Sequence, residues 1–255
     1  MLLAFNLPIL LMLAWSFTNP TPTLSHYAYL FEVPIYLRVL ANTLRIAAIT
    51  VVCCMALGYP LAYWLRSMTP RRRLLVLTLV VLPFWISILI RTYAWIVILG
   101  NNGLVNRALV NLGLLGQPVE ILYSELGVII GTVNVLLPFF VLPLYAAMTQ
   151  IDERLMQAAR SLGATQRTIF WRIFLPLSLP AVAAGAILVF ILTLGFYITP
   201  AVLGGGRVPM IANAIALLIN ELPRWELAAA ISTLLMLAVI GFYFVARWVR
   251  GRGTA

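Results

Sequence analysis

The chain has 255 residues, of which 63% are hydrophobic and only 9% are charged, and its formal net charge is +10. A soluble domain is closer to about half apolar and about a quarter charged, so this composition predicts a membrane protein. A basic nucleic-acid-binding protein would carry its charge on one face of a water-soluble body. Here the 17 basic residues are all arginines and lie in short gaps between apolar runs, where arginine contacts lipid headgroups. We therefore expect a lipid bilayer around the chain and no nucleic-acid partner.

Few side chains suit catalytic or metal chemistry. His26 is the single histidine, and one histidine cannot build a zinc site or a Ser-His-Asp triad. Cys53 and Cys54 are adjacent within an apolar run, which favours two small buried side chains over a strained vicinal disulfide. The glycine run at 204–206 lacks the lysine of a P-loop, because the chain contains no lysine. The sequence also has no H-E-x-x-H or G-x-S-x-G motif, so we expect no enzyme, no metal and no cofactor bound by this chain.

Six stretches are apolar enough to cross a bilayer as helices of about 20 residues. They cover residues 2–18, 40–65, 74–90, 126–148, 178–199 and 227–247, and the third extends through Tyr93–Leu99 if Arg91 is tolerated. The first stretch has no positive residues before it and no A-x-A-like cleavage site after it, so we expect a retained helix rather than a signal peptide. The predicted fold class is an all-α membrane protein with about six transmembrane helices.

Prolines lie inside several of these spans, at Pro8, Pro60, Pro83, Pro138 and Pro143. In a membrane helix, neighbouring helices or water satisfy the carbonyls that a proline leaves free. Two interpretations stay open, irregular helix packing and kinked helices around a moving pathway. The absence of an internal sequence repeat argues against an inverted-repeat secondary carrier.

The placement of the arginines predicts the orientation. With six spans both termini lie on one side, which carries eleven arginines against Asp152 and Glu153, a net charge of +9. The other side carries six arginines against five glutamates, a net charge of +1. Because cytoplasmic loops hold the excess of arginine, we expect both termini and the loop between the fourth and fifth spans in the cytoplasm.

That loop, residues 149–176 (the 149–176 loop), is predicted to form two short helices joined by a glycine turn. The first helix covers ERLMQAARSL at 153–162, with an apolar face at helical spacing made by Leu155, Ala158, Ala159 and Leu162. Two interpretations of this amphipathic helix stay open. It lies on the lipid surface, or it presents its small alanine face to a cytoplasmic partner.

Gly163 has the position of a helix C-cap, where glycine reverses the chain without strain. Thr165 then suits the N-cap of the second helix. The apolar face of that helix would consist of Ile169, Phe170, Ile173 and Phe174. We expect Pro176 and Pro180 to end this helix and to begin the fifth span.

The spacing of this loop resembles the EAA loop of ABC importer permeases, which reads E-A-A, three residues, G, nine residues, I, one residue, L-P. The matching positions here are Gln157, Ala158, Ala159, Gly163, Ile173, Leu175 and Pro176. Gln157 keeps the size and hydrogen-bonding reach of the glutamate but lacks the charge for one ion pair. The resemblance extends over residues 38–250, where GYPLAYWL, LPFWISILIRTYAWIVILG and ITPAVLGGG are similar to the polyamine (spermidine/putrescine) branch.

The resemblance implies a type I ABC importer permease fold in the bacterial inner membrane, with the 149–176 loop as the coupling helix seated on an ATPase. It implies a first transmembrane helix and periplasmic segment at 1–37, a permease core at 38–250 and a cytoplasmic tail at 251–255. The implied partners are a second permease in a heterodimer, two ATPase subunits and a periplasmic substrate-binding protein. ATP and Mg would be used by the partner ATPase, and transport would proceed by alternating access.

The residues that meet the solute are predicted from the chemistry of a polycation, which carboxylates and aromatic faces attract. Candidates near the outer ends of the last two spans are Tyr197, Glu221, Trp225 and Glu226. An ordinary interfacial belt of aromatic and solvated charged residues is the alternative. Another solute for the same architecture, such as a thiamine-like cation, another amine compound or chelated iron, also stays open. A passive channel would leave the amphipathic loop without a partner.

Overall fold

The computed structural model describes the backbone of residues 2–19 and 21–252 and, within them, the side chains of residues 6–18, 23–242 and 244. The long helices are α1 (Leu2–Ser16), α3 (Pro34–Ser67), α4 (Pro70–Trp85), α5 (Ile88–Leu99), α7 (Glu125–Thr149), α10 (Leu175–Leu194) and α13 (Trp225–Arg252). Shorter helices connect them: α2 (Ser25–Glu32), α6 (Leu104–Asn111), α8 (Glu153–Ser161), α9 (Gln166–Ile169), α11 (Ile198–Gly204) and α12 (Ile211–Asn220). After α1, two-residue strands β1 (Thr18–Asn19) and β2 (Thr21–Pro22) pair antiparallel. The all-α prediction is confirmed.

Among the described residues, five helical segments are long and apolar enough to cross a membrane: Pro34–Ser67, Ile88–Asn111, Glu125–Thr149, Gln166–Leu194 and Trp225–Phe242. They contain the predicted second and fourth spans and overlap the fifth, the sixth and the end of the third. Helix α1 covers the first predicted span except for its last two residues and has only 15 residues. Trp15 in its last turn meets Trp225 at the start of α13, with ring centroids 6.2 Å apart. Helix α1 therefore lies antiparallel beside α13.

The third predicted span is interrupted, so the prediction of one helix across 74–90 and on to Leu99 was wrong. Helix α4 ends at Trp85, Ile86 is extended, and α5 begins at Ile88. Pro83 lies in the last turn of α4, where its missing N–H and its ring weaken the helix. Both halves pack along α7: the Phe84 ring contacts a ring of α7 at a centroid distance of 4.9 Å, and the Trp95 indole donates to an α7 amide at 3.3 Å.

Three predicted boundaries move. The boundary between 37 and 38 falls inside α3, which begins at Pro34. The fifth span ends at Leu194, because Gly195 is the C-cap of α10. Helix α13 continues to Arg252, so the first two residues of the predicted tail are helical. Residues 253–255 of that tail lie outside the described residues.

The core is the contact between α3, α7 and α10, and it depends on two glycines that face one aromatic ring. Phe140 of α7 is fully buried. A Cβ added at Gly58 of α3 would lie 2.5 Å from the Phe140 ring, and one added at Gly185 of α10 would lie 2.9 Å from it. The three helices can approach this closely only because both positions lack a side chain, and interiors packed to this density resist deformation.

The two ends of α3 make different polar contacts. At the end near residue 66 (the loop end) α3 meets the 149–176 loop. At the other end (the opposite end) the Thr43 hydroxyl accepts from the Ile211 N–H at 2.9 Å, and the Asn42 amide donates to the Pro209 carbonyl at 2.9 Å. Arg45 forms an ion pair with Glu125 at 3.1 Å. These contacts fix the segment that leads into α12, and α7, to the opposite end of α3.

Candidate functional site

Helix α8 of the 149–176 loop is short but well capped. The Asp152 carboxylate accepts from the Arg154 N–H at 2.9 Å, as expected of an N-cap. Glu153 in the first turn and Arg160 in the last turn have the charges that the helix dipole favours. Gly163 follows with φ of +82°, in the left-handed region, and an added Cβ there would meet nothing within 4 Å. The predicted glycine turn is present.

Three of the four residues of the predicted apolar face of α8 point away from the rest of the protein, and Ala159 is half-buried. Leu155 is 49% exposed and Leu162 is 89% exposed, and Ala158 between them is also exposed. Met156, which the sequence pattern did not select, points inward and packs against the main core. The helix thus presents two leucines around a small central residue on a free surface.

The second helix of the loop does not end where it was expected to end. Helix α9 is capped by Thr165, whose hydroxyl accepts from the Thr168 N–H at 3.3 Å. The chain then passes through a π-turn, Phe170–Phe174, directly into α10. The Leu175 N–H bonds to the carbonyl of Phe170, five residues back, and this wider turn makes room for the ring of Pro176. The prediction that Pro176 and Pro180 separate two helices was therefore wrong.

The π-turn is fixed to α3 by aromatic contacts. The Tyr63 ring meets the rings of Phe170 and Phe174 edge-on, at centroid distances of 5.3 and 5.0 Å. One turn earlier the Tyr59 hydroxyl is 3.0 Å from the hydroxyl of Ser178 in α10. Ring pairs of this geometry each contribute about 1 kcal/mol beyond their buried area. The loop and the end of α3 therefore form one packed unit.

Arg66, in the last turn of α3, is a functional candidate that sequence analysis missed. Its guanidinium donates to the Ile151 carbonyl at 3.5 Å and pairs with the Glu153 carboxylate at 3.4 Å. It also contacts the Met156 sulfur at 3.6 Å and lies 5.0 Å from the centroid of the Phe174 ring. These partners are 85 to 108 positions away in the chain, so neither spacing nor periodicity could have revealed them.

A polar niche of about 190 Å³ opens between Arg66 and α8. Gln157 lines it, together with Arg160 and Gln166. The Arg160 guanidinium donates to the Gln166 side-chain oxygen at 3.2 Å, which connects α8 to α9. The motif glutamine therefore shares a polar niche with two arginines rather than lying alone on the surface.

The structure divides the motif residues into two groups. Gln157, Ala158, Ala159 and Gly163 lie together on α8 and its turn, with Ala159 half-buried and the others exposed. The remaining three, Ile173, Leu175 and Pro176, lie on the π-turn and the first turn of α10, where the first two are half-buried. The first group can touch a partner, and the second group connects that surface to a membrane helix.

At the opposite end of α3 a cavity of about 540 Å³ lies between α3, α11 and α12. Tyr197 and Glu221 line it, together with Tyr36 and Asn213. The Asn213 amide donates to the Tyr197 carbonyl at 3.2 Å. Most of the remaining lining is aliphatic, so the cavity combines two aromatic rings and one carboxylate with an apolar wall.

The other two predicted solute residues do not line this cavity. Trp225 packs against Trp15 of α1. Glu226 lines a separate cavity of about 350 Å³ with His26 and Arg224. The four residues therefore do not form one site, because Tyr197 and Glu221 belong to the α3–α11–α12 cavity and the other two belong to the contacts of α13. Among the described residues there is no group of three or more histidine, cysteine, aspartate or glutamate side chains that could hold a metal ion.

Residues 54–252 match the family described as binding-protein-dependent transport system inner membrane component. The chain belongs to this family. It is thus a multi-pass inner-membrane component of a transport system, and the resemblance seen in its loop is confirmed over most of its length.

Several relatives cover most of the chain. The spermidine/putrescine transport system permease protein PotB of Haemophilus influenzae is 40% identical over 233 residues, which is 90% of this chain and 81% of the relative. PotB of Escherichia coli is 36% identical over 237 residues, 93% of this chain and 86% of the relative. A putative 2-aminoethylphosphonate transport system permease protein, PhnU of Salmonella paratyphi A, is 32% identical and covers 83% of this chain and 74% of its own length.

Solved structures share the fold. A bacterial ABC transporter involved in the import of the acidic polysaccharide alginate matches with a TM-score of 0.79 and 22% identity, over 99% of this chain and 92% of that one. The MetNI methionine ABC transporter in an inward-facing conformation matches with a TM-score of 0.64 and 20% identity, over 84% of this chain and 94% of that one. The predicted type I ABC importer permease fold is confirmed.

Proposed function

We propose that this chain is the transmembrane permease subunit of an ATP-driven importer that moves polyamines such as spermidine and putrescine from a periplasmic binding protein into the cytoplasm. The observation that carries the choice of solute is the 40% and 36% identity to two PotB permeases over at least nine-tenths of the chain. The PhnU relative, at 32%, is named as a putative 2-aminoethylphosphonate transport system permease protein, so 2-aminoethylphosphonate is the competing solute.

The exposed face of α8 is the surface through which we expect ATP hydrolysis to act. A helix that lies in a lipid surface carries bulky side chains along its apolar face, which enter the acyl boundary. Here the centre of the face is Ala158, and Leu155 and Leu162 flank it. A small centre between two large side chains suits a protein groove into which the helix backbone approaches closely. We therefore assign this face to an ATPase subunit rather than to lipid.

The remaining partners are those expected of a binding-protein-dependent transport system. Two ATPase subunits would use ATP and Mg, while this chain supplies half of the pathway and no hydrolytic chemistry. A second permease would complete the pathway as a heterodimer, and a periplasmic substrate-binding protein would deliver the solute. Both termini would be cytoplasmic, which agrees with the antiparallel packing of α1 against α13 and places the loop end of α3 in the cytoplasm. A ligand-driven change requires contacts that differ between the two states, and α8 is well placed to make them.

The cavity at the opposite end of α3 is our candidate solute site. Its volume of about 540 Å³ can hold a flexible diamine or triamine. The faces of Tyr36 and Tyr197 would attract ammonium groups and the Glu221 carboxylate would pair with one of them, while the aliphatic wall would contact the methylene chain. The combination suits a molecule with charged ends and an apolar middle.

The test is isolation of the tagged chain in mild detergent, followed by reconstitution of the complex in liposomes with its binding protein. We expect an ATPase and a second permease to copurify, and ATP-dependent uptake of radiolabelled putrescine and spermidine. Isolation of the chain alone would contradict the importer assignment. Uptake of 2-aminoethylphosphonate without polyamine uptake would keep the importer and replace its solute.

The solute site has its own test. Loss of one carboxylate–ammonium contact in a wet cavity costs about 1 kcal/mol, about fivefold in affinity. We therefore expect Glu221→Gln to raise the apparent KM for putrescine by about fivefold. Glu120→Gln is the matched control, because Glu120 is 72% exposed and pairs only with Arg207 at 3.5 Å among the described residues. Equal KM values for the two variants would remove Glu221 from the solute path.

A further inference from the structure

We propose that Arg66 is a positioning residue that ties the ATPase-facing loop to the cytoplasmic end of α3, so that α3 carries the displacement of the loop to the solute cavity. The inference rests on the proposed importer function. It identifies Arg66 as the contact, and α3 as the helix, through which ATP hydrolysis and transport would be coupled.

The first step is the range of contacts made by one side chain. Arg66 bonds to the Ile151 carbonyl before α8, pairs with Glu153 in the first turn of α8 and touches Met156 one turn later. The same guanidinium lies over the ring of Phe174, 5.0 Å from its centroid, at the end of the π-turn. It therefore contacts the loop at its entry, in its helix and at its exit, and the loop cannot shift as a unit without moving this side chain.

The second step is burial. The Arg66 side chain is only 14% exposed, whereas its partner Glu153 is 74% exposed. An exposed ion pair contributes little to stability. A mostly buried guanidinium is different, because removing its partners leaves a charge that water reaches poorly. Arg66 is thus held by all of its partners together, and its role is to hold the loop in one position relative to α3.

The third step is that the end of α3 is itself held. Arg73, at the start of α4, donates to the carbonyls of Leu65, Arg66 and Met68 at 3.2, 3.3 and 2.9 Å. The last carbonyls of a helix have no partner within the helix, and bonds of this kind keep the last turn from fraying. The turn that carries Arg66 therefore moves with α3 rather than independently of it.

The fourth step is the reach of α3. Its 34 residues form one helix, and the 31 residues from Tyr36 to Arg66 span about 45 Å at the usual rise per residue. Tyr36 lines the solute cavity, and Thr43 bonds to the first residue of α12 at 2.9 Å. One continuous helix thus has the loop at its cytoplasmic end and the cavity wall at its other end.

The experiment measures solute molecules transported per ATP hydrolysed, in the complete importer reconstituted with its binding protein. A side chain that only stabilises the fold would lower the amount of active complex and leave this ratio unchanged. For Arg66→Gln we expect ATP hydrolysis to continue while the ratio falls about tenfold, within the range of typical coupling energies. The matched control is Arg72→Gln, since Arg72 is exposed and has no side-chain hydrogen bond or ion pair to any described residue; its ratio should equal that of the unmodified chain.

A second variant covers the case in which Arg66→Gln does not assemble. Arg66→Lys keeps the charge but lacks the fork that reaches the Ile151 carbonyl and the Glu153 carboxylate together, and we expect its ratio to fall about fivefold. An unchanged ratio in either variant that assembles would overturn the inference. The proposed function fails separately, when the unmodified chain shows no ATP-dependent polyamine uptake.

A labelling measurement tests the role of α3 directly. Ile35 lines the solute cavity, so Ile35→Cys should react with a membrane-impermeant thiol reagent at different rates with and without ATP. The unmodified chain, whose Cys53 and Cys54 are free, gives the background. Combined with Arg66→Gln, the cysteine should lose its response to ATP, whereas a retained response would show that the displacement reaches the cavity by another route.

Discussion

Gly163 connects the two helices of the 149–176 loop, and its substitution separates a backbone effect from a steric one. Its φ is +82°, and a Cβ added there would meet nothing within 4 Å. Alanine therefore fits into the available space, and its cost comes from the left-handed backbone alone, about 1–2 kcal/mol. Asparagine is larger but tolerates this conformation better. Valine, which is β-branched, tolerates it least. We therefore expect the stability of the native turn to decrease in the order glycine, asparagine, alanine, valine.

The cost of each substitution can be measured through its effect on transport by the complete importer. A cost of 1–2 kcal/mol changes the population of the native turn by a factor of about 5–30. If the turn positions α8 against the ATPase, ATP-dependent uptake at limiting ATPase concentration should fall in the same order, while the thermal stability of the isolated permease changes little. Gly116→Ala is the matched control, because its added Cβ also meets nothing within 4 Å and its φ is not in the left-handed region.

The order of asparagine and alanine decides whether the reasoning holds. A surface clash with the ATPase would rank the variants by side-chain volume and would place alanine before asparagine. That result, or wild-type uptake with valine at this position, would show that the left-handed turn at Gly163 is not what positions α8.

Three further predictions concern stability. Phe140→Ala removes a fully buried ring and should destabilise the protein by about 3–5 kcal/mol, measured as a fall in the thermal midpoint in detergent. Phe84→Ala, at a ring that is 40% exposed, should destabilise it clearly less. Equal falls in the midpoint for the two variants would contradict the central role of Phe140. Gly185→Ala places a Cβ 2.9 Å from the same ring and should cost about 1–3 kcal/mol, partly recovered when combined with Phe140→Leu. Arg45→Gln breaks an ion pair with Glu125 whose arginine is 66% exposed. The free energy of unfolding should therefore fall by less than about 1 kcal/mol, with a correspondingly small fall in the thermal midpoint.

The features that the sequence could predict are those set by local chemistry. The fourth span was placed within one residue at each end, because an apolar run bounded by Ser124 and Gln150 leaves few other choices. The glycine turn and the cap at Thr165 follow from residues within three positions of each other. Each of these predictions uses interactions that the chain makes with its near neighbours.

The features that the sequence could not predict depend on distant contacts. The break at Ile86 depends on how α4 and α5 pack along α7, because Pro83 alone permits either a kink or an end. The π-turn before Pro176 keeps α9 and α10 continuous, where local rules predicted an end. Arg66 was counted only as a cytoplasmic positive charge, although its partners fix its position. Likewise, Trp225 and Tyr197 are both aromatic residues near the predicted membrane interface, but Trp225 packs against Trp15 whereas Tyr197 lines the α3–α11–α12 cavity.

The distribution of polar and apolar contacts along α3 suggests which parts of the protein move. In the middle of α3, Gly58 packs directly against the Phe140 ring, and a core packed this tightly cannot absorb a displacement by compression. At one end Arg66 ties α3 to the 149–176 loop, and at the other end Asn42 and Thr43 tie it to the segment that leads into α12. A displacement of α8 should therefore pass along α3 as a rigid tilt and appear at the segment between α11 and α12, where the solute cavity has its wall.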